Sequence, residues 1–279
     1  MMRVVDAGGN AALQFARGFL LPLRRAILAF ALTLSAIHAQ SLTARLIRFS
    51  EGQPFHMGQV TSMRIVSPGA GAQRLTLNYS FSQAGSEFAQ HVHDHSDDTI
   101  LVLQGAADLR QGSTRTPMSA GTCAFVPAGQ IHGTITAAAD TIMISTQVPP
   151  DLVLYTGARD SSKPGAAPPQ GVITPGAVKY VQSGQANGFF VDAGMGADRV
   201  AVARRVLKKG ESLKTGIDGG EQLIFVWKGA VAVKAGGTTY QAGEKDTVFA
   251  AGTGMLEVLG DSDQPAIVIQ VQAPPQKKQ

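Results

Sequence analysis

The sequence predicts an all-β protein made of two similar domains in tandem, and two observations lead to this prediction. First, the chain repeats itself, since the segment Val66–Arg74 recurs as Val191–Arg199 with identical residues at one constant spacing. Second, each copy consists of short apolar or alternating runs separated by glycine-containing turns, a pattern typical of β-strands. A repeat of this length indicates a duplicated domain and not a solenoid, whose units have roughly 20–50 residues.

The strands can be assigned in order along the first copy, and short matches locate their counterparts in the second. The runs that predict strands in the first copy are Arg74–Tyr79, Thr99–Leu103, Thr122–Val126 and Thr141–Thr146. Two later matches continue the repeat: Leu101–Ala106 with Phe225–Ala230, and Phe125–Gly129 with Val248–Gly252. Because no helical periodicity of useful length follows residue 39, the pattern indicates two all-β sandwiches or barrels.

The amino-terminal segment is predicted to be a secretory signal. Arg24 and Arg25 precede the uncharged apolar run Ala26–Ala39, a positive flank and a core of the kind that export signals have. The run is shorter than the roughly 20 residues of a membrane-spanning helix, so we expect cleavage after Ala39 and no stable membrane anchor in the mature protein. The predicted organisation is a signal peptide at 1–39, a first domain at 40–155, a linker at 156–176 and a second domain at 177–279.

Charge and cysteine content exclude some functions. The whole chain has a net charge of +4, but removal of residues 1–39 takes away four arginines and Asp6 and leaves 20 basic and 19 acidic residues. The mature protein also lacks a basic stripe with interleaved aromatic residues, so we expect no nucleic-acid partner. Cys123 is the only cysteine, which excludes an internal disulfide and favours a small buried side chain.

The stretch His91–Asp98, HVHDHSDD, contains half of the six histidines of the chain. In an extended strand His91 and His93 project to the same side, and a metal site then needs further ligands from another strand. His132 follows a strand and a tight turn in the same copy, and Asp98 begins the strand after the histidine-rich turn. These four residues are the predicted metal site, whereas His95 is expected to face solvent or to lie behind the ligands, and not to bind the metal itself.

The same residues resemble the two signature motifs of the cupins. The first motif is carried by Gly85, His91, His93, Asp98 and Gly105, and the second by Gly121, Pro127, Gly129 and His132. The resemblance implies a double-stranded β-helix, or jelly-roll barrel, for each copy, hence a bicupin. It also implies one divalent transition metal, commonly iron, manganese, nickel, copper or zinc, with His91, His93 and His132 as imidazole ligands.

The sequence departs from the cupin pattern at Asp98, where cupins usually have glutamate. Because aspartate is one methylene shorter, Asp98 either reaches the metal through a backbone shift or binds through water and leaves a three-histidine site. Both arrangements leave open positions at the metal, unlike a structural zinc site.

The second copy has lost the histidines of the first. In the register of the repeat, His91, His93, Asp98 and His132 correspond to Gly216, Asp218, Gln222 and Met255. We therefore expect no metal in the second domain, although Asp218 and Glu221 could line a polar pocket.

The function predicted from these features is that of an exported, periplasmic or extracellular metalloenzyme acting on a small organic substrate. We favour an oxidoreductase of the dioxygenase kind, while decarboxylase, isomerase and hydrolase chemistry remain open because a fold does not determine the reaction. Glu87 and Asp97 are the nearest candidates for a general base besides Asp98. The alternative is a non-catalytic, metal-dependent protein that binds a sugar or organic acid, and exposed strand edges would favour a homodimer in either case.

Overall fold

The structure is a computed structural model that describes residues 41–183 and 185–275, so the predicted signal at 1–39 lies outside the described residues. Within these ranges the chain forms β-strands and four short 3₁₀ turns and contains no α-helix. The prediction of an all-β fold is confirmed. No helix in the described part of the chain has the length and apolarity needed to cross a bilayer. The 3₁₀ turns are Phe49–Glu51, Pro68–Ala70, Leu154–Thr156 and Ala193–Met195.

The first copy of the repeat forms two antiparallel sheets that face each other across an apolar core. Its strands are β1 (Thr43–Ile47), β2 (Gln53–Met57), β3 (Val60–Val66), β4 (Leu77–Ser82), β5 (Glu87–His91), β6 (Asp97–Gln104), β7 (Ala106–Gln111), β8 (Thr114–Ser119), β9 (Thr122–Val126), β10 (His132–Thr136) and β11 (Thr141–Val148). The smaller sheet has the order β5-β10-β7-β8. Buried side chains such as Val102 and Met143 from the larger sheet pack there against Leu109 and Met118 from the smaller one.

The second copy has the same architecture with longer strands. Its strands are β12 (Lys179–Gln182), β13 (Gly188–Val191), β14 (Ala201–Leu207), β15 (Ser212–Lys228), β16 (Val231–Ala235), β17 (Thr238–Ala242), β18 (Thr247–Gly260) and β19 (Ala266–Ala273). β15 and β18 pair along most of their length, with one irregularity between Ile217 and Gly220. On one side of this irregularity β15 also pairs with β19, and on the other side β18 also pairs with β16. The two long strands therefore contribute to both faces of the second barrel. In the first copy, four separate strands take the place of these two.

Each copy contributes one strand to a sheet of the other copy. β12 adds to β9 and completes the larger sheet of the first copy, with the order β12-β9-β6-β11-β4-β3-β2. β1 adds in the equivalent place to β18 of the second copy. The sheets thus extend across the sequence boundaries expected at 155 and 177, and the division into two domains with a linker at 156–176 remains a prediction.

A shared core joins the two copies. Buried residues of both contribute to it, for example Leu77 and Leu101 from the first copy and Leu223 and Val271 from the second. The rings of Tyr79 and Phe225 are 6.3 Å apart across this contact. Burial of this much apolar surface favours association of the two copies as one unit.

Hydrogen bonds of Glu221 also connect the two copies. Its carboxylate is buried and accepts hydrogen bonds from the backbone N–H groups of Gln73, Arg74 and Leu75 at 2.6, 2.8 and 3.2 Å. Glu221 therefore binds the first copy and does not line a polar pocket of the second, contrary to the hypothesis from the sequence.

Candidate metal centre

Two of the predicted ligands lie side by side in the smaller sheet of the first copy. His91 is the last residue of β5, His132 is the first residue of β10, and the two are direct partners in the antiparallel ladder. Side chains of directly paired residues lie on the same face of a sheet, and both imidazoles are buried. The pairing therefore brings together two histidines that are far apart in the sequence.

Glycines allow this local geometry. A Cβ atom at Gly133 would lie 2.7 Å from the carbonyl oxygen of Phe88 and 3.0 Å from the backbone nitrogen of Gln90, so any other residue would push β5 and β10 apart. Gly129 has a φ of 81° in the turn before His132, a conformation that glycine adopts without strain. Gly129, the glycine of the second motif, thus permits the turn that precedes His132.

The other two predicted ligands come from the turn and strand that follow β5. The chain leaves the extended conformation after His91, so His93 lies in the connection to β6 and Asp98 is the second residue of β6. Asp98 belongs to the larger sheet, opposite the histidines of the smaller sheet. The site consequently lies between the two sheets, inside the barrel.

All four predicted residues converge. One donor atom from each of His91, His93, Asp98 and His132 lies within 4.8 Å of the others, and each residue is at most 3% exposed. The Nε2 atoms of His91 and His93 are 3.2 Å apart. Asp98 Oδ2 lies 3.5 Å from His93 Nε2 and 3.4 Å from His132 Nε2.

The outer ring nitrogens fix which nitrogen faces the centre. His91 Nδ1 lies 2.9 Å from the carbonyl oxygen of Ala89, and His132 Nδ1 lies 3.0 Å from that of Gln130. His93 Nδ1 lies 2.7 Å from the carboxylate of Asp151. Since each acceptor requires an N–H at Nδ1, the neutral rings present their Nε2 lone pairs to one another, which is the tautomer of a metal-binding histidine.

Burial and close neighbours set the protonation of the site in the metal-free protein. Burial, together with the neighbouring His132 and His93, lowers the pKa of His91 well below its ordinary value. Burial lowers the pKa of His93 as well, but its bonds with Asp151 and Asp98 outweigh this effect and raise the pKa to about 9. For Asp98, burial is likewise outweighed by the bonds with His132 and His93, which lower the pKa of the carboxyl group.

The residues fit a divalent transition metal. Asp98 Oδ1 is buried and has no hydrogen-bond partner in the described structure, an arrangement that costs free energy without a cation or water. Three imidazole nitrogens and a carboxylate oxygen are a donor set that suits iron, manganese, nickel, copper and zinc. The site is therefore a buried four-residue metal site, and the structure confirms that a divalent transition metal fits it.

A small cavity of about 30 Å³ adjoins the site. His91, Asp98 and His132 form part of its wall, and the remaining lining residues are Ser80, Phe88, Ile100, Gly133, Thr134, Met143, Ile144, Ser145, Gln147 and Leu154. This volume holds about two water molecules, and the pocket is partly open to the outside, so a larger molecule can extend beyond it. The centre thus borders a mainly apolar chamber and is not enclosed on all sides by ligands.

Other residues considered from the sequence do not enter this chamber. Glu87 forms an ion pair with Arg110 at 2.6 Å, and Asp97 accepts a hydrogen bond from the backbone N–H of Ala128 at 3.0 Å. Neither carboxylate lines the cavity. His95 is exposed, as expected, and burial raises the pKa of the Cys123 thiol in the core, which makes that side chain inert.

The second copy has the strand pairing of the metal site but not its metal-binding side chains. Gly216 pairs with Met255 as His91 pairs with His132, which confirms the correspondence drawn from the repeat. β15 runs on past this point, whereas the first copy breaks its strand at the histidine-rich turn. Among the described residues, the first copy carries the one cluster of metal-binding side chains.

Sequence reasoning missed the segment that covers the site. Asp151 and Leu154 follow β11 in residues 149–160; Asp151 holds His93, and Leu154 lines the cavity. Arg159 lies 3.3 Å from Asp151 and 2.8 Å from Asp94, so it ties this segment to the histidine-rich turn. No motif marks these residues, and only the proximity of Asp151 to the end of a predicted strand could have suggested a role.

The comparisons with known proteins agree with this geometry. Residues 80–145 match the family model described as the cupin domain. Oxalate decarboxylase of Bacillus subtilis, a protein with Mn(II) centres, is similar with a TM-score of 0.65 and 10% identity over 84% of this chain and 78% of that chain. A bacterial pirin from Escherichia coli in complex with nickel(II) has a TM-score of 0.62 and 16% identity over 84% of this chain and 100% of its own. No curated protein sequence matches the chain.

At such identities the structural likeness establishes the fold alone. Residues 80–145 are similar to the cupin domain, and both copies adopt the jelly-roll barrel expected from the resemblance.

Proposed function

We propose that the protein is a metal-dependent oxidoreductase of the dioxygenase kind, which binds one divalent metal through His91, His93, His132 and Asp98. The observation that carries the proposal is the convergence of three imidazole Nε2 atoms and an unpartnered Asp98 oxygen beside a largely apolar cavity. Mostly apolar pockets with a few convergent polar groups are typical of sites for small molecules. A structural zinc site would instead have four ligands that enclose the ion.

The lining of the cavity favours redox chemistry over acid–base chemistry. Its titratable residues are His91, Asp98 and His132, which are all members of the metal site. Hydrolases and isomerases commonly use a separate acid or base within reach of the substrate, and the lining of this cavity has none besides the metal-site residues. A bound redox-active divalent metal supplies Lewis acidity and electron transfer toward dioxygen.

The protein residues would bind and orient the substrate and exclude bulk water. Leu154 and the apolar side chains of the barrel cover the centre, and a dry site strengthens the electrostatic interactions inside it. A dioxygenase adds both atoms of O₂ to its substrate, so the reaction needs no further reductant. Export through residues 1–39 and a homodimer remain part of the proposal, supported by the sequence patterns described above.

Oxygen consumption tests the proposal directly. The protein loaded in turn with Fe(II), Mn(II), Ni(II) or Cu(II) is assayed with a panel of small hydroxyketones and carboxylic acids, and ¹⁸O₂ is used to follow both oxygen atoms. We expect metal-dependent uptake with both labelled atoms in the product, and loss of uptake in His132→Ala. Release of CO₂ without O₂ consumption would overturn the dioxygenase assignment, and metal binding without turnover of any compound would favour a binding protein.

A further inference from the structure

One buried polar side chain beside the metal site is held in a single orientation by its neighbours. Gln147 lies on β11, pairs with Asp98 of β6, lines the cavity and is 1% exposed. Its Oε1 accepts hydrogen bonds from the hydroxyl of Thr76 at 2.8 Å and from Asn78 Nδ2 at 3.2 Å, and it shares the hydroxyl proton of Tyr155, at 3.3 Å, with Asn78 Oδ1, which lies 3.1 Å from that hydroxyl. Three donors on one oxygen leave no freedom for the amide to turn over.

The donors themselves are fixed. Tyr155 packs edge-on against Phe55 with ring centroids 5.1 Å apart, and the guanidinium of Arg64 lies 4.4 Å from its ring centroid. Burial raises the pKa of Tyr155 to about 12, so its hydroxyl keeps its proton and remains a donor at neutral pH. Thr76 accepts a hydrogen bond from the backbone N–H of Gln147 at 3.0 Å, which directs its own proton toward Oε1.

The amide nitrogen of Gln147 is consequently available to donate into the cavity. Its oxygen is fully engaged with Thr76, Asn78 and Tyr155, and no described residue accepts a hydrogen bond from Nε2. In a mainly apolar cavity such an N–H group is hydrogen-bonded only when water or a ligand atom supplies the acceptor. Such a group is retained at a binding site when a ligand atom completes it, because the site then rejects molecules that lack the acceptor.

The charge of the cavity restricts the class of ligand. Its lining includes the hydroxyls of Ser80 and Ser145 and contains no lysine or arginine. An anionic group that lies away from the metal would therefore be buried without a cation, which is strongly unfavourable. A neutral oxygen, by contrast, is an ordinary acceptor for an amide N–H.

We propose that Gln147 is a substrate-binding residue whose Nε2 donates a hydrogen bond to a neutral carbonyl or hydroxyl oxygen of a small metal-bound substrate. The site then selects molecules of the hydroxyketone class, with one oxygen for the metal and a second for Gln147, over dicarboxylates such as oxalate. This inference rests on the proposed metal site, and it adds the substrate class and the residue that determines it.

The test uses the full protein loaded with Mn(II), after one bound ion per chain has been verified. The probes are hydroxyacetone and oxalate, and binding is followed by calorimetry and by the Mn(II) EPR spectrum. Gln147→Glu is the decisive variant, because its carboxylate still accepts from Thr76, Asn78 and Tyr155 but no longer donates into the cavity. Gln104→Glu is the matched control, since this exposed glutamine at the end of β6 lies outside the cavity lining.

We expect the wild type to bind hydroxyacetone more tightly than oxalate, and Gln147→Glu to lose hydroxyacetone affinity by tenfold or more while it retains Mn(II). Gln147→Leu, which removes the whole amide, should lose affinity by at least fivefold, and Gln104→Glu should bind as the wild type does. Unchanged hydroxyacetone affinity in both Gln147 variants, or tighter binding of oxalate by the wild type, would overturn the inference and leave the metal site intact. Failure to bind Mn(II) at all would overturn both proposals.

Discussion

Asp151 offers the sharpest test of how the metal site is built. Its carboxylate accepts a hydrogen bond from His93 Nδ1 at 2.7 Å, and only 8% of the residue is exposed. Loss of a partner that orients a metal-binding histidine lowers metal affinity about 10–100-fold, which corresponds to about 1.4–2.7 kcal/mol. We expect Asp151→Ala to reach the upper part of this range, because His93 Nδ1 then loses its acceptor and the ring is held only from its Nε2 side.

Asp151→Asn separates orientation from charge. The amide oxygen still accepts from Nδ1, so His93 stays in place, but the negative charge beside the ring is lost. We therefore expect about a tenfold loss of affinity for Asn. The measurement is a competition titration of Zn(II) or Mn(II) against a chelator of known affinity, with the melting temperature recorded for each variant.

Asp94→Ala is the matched control, because Asp94 also bonds to Arg159 at 2.8 Å but is exposed, and its carboxylate forms no hydrogen bond or ion pair with the four metal-site residues. It should bind metal within about twofold of the wild type. The reasoning would be refuted if folded Asp151→Ala bound metal as tightly as the wild type, or if Asp94→Ala lost as much affinity as Asp151→Ala.

Three further predictions concern pH, stability and export. Because the pKa of His93 in the metal-free protein is raised to about 9, metal binding must displace its proton; affinity should increase by about tenfold per pH unit from 7 to 9 and then level off, and a flat profile in chelator titrations would contradict this. Glu221→Ala should lower the free energy of unfolding in denaturant by about 3 kcal/mol, since three backbone N–H groups lose a buried acceptor, whereas Asp263→Ala at an exposed site should have little effect; equal stability of the two variants would be the contrary result. Amino-terminal sequencing of the exported protein should begin at Gln40, and recovery of an intact Met1 would argue against cleavage.

The features that the sequence could predict are those encoded by local patterns and by internal repetition. Alternating runs between glycines indicated strands; the structure has strands over three of the runs assigned in the first copy, and for Arg74–Tyr79 the strand begins only at Leu77. The spacing of His91, His93 and Asp98, with His132 after a glycine turn, indicated a shared site, and the structure brings these four residues within 4.8 Å. Local sequence sufficed here because each ligand is adjacent to a strand end with a defined direction.

The features that escaped prediction depend on contacts between distant segments. Asp151 and Tyr155 reach the site because residues 149–160 fold back over the barrel, and nothing in their own sequence specifies that path. Gln147 resembles any polar residue at the end of a strand until the three donors around Oε1 are known. Glu221 was misjudged for the same reason, because its partners are backbone groups of the other copy, which carry no sequence signature.

The strand exchange between the copies has a similar cause. β1 and β12 are short runs that pair with β18 and β9 of the other copy, and the sequence of so short a run does not specify its partner. An unpaired edge attracts a strand whatever its sequence neighbourhood.

The central claim is that the first copy of the repeat holds one divalent transition metal, and elemental analysis of the protein purified without chelator or affinity metal tests it most directly. The account predicts close to one iron, manganese, nickel, copper or zinc ion per chain in the wild type and in His56→Ala, whose histidine is exposed and outside the site. His91→Ala and His132→Ala should retain less than a tenth of that metal. Wild-type protein without stoichiometric metal, or histidine variants that keep it, would contradict the account.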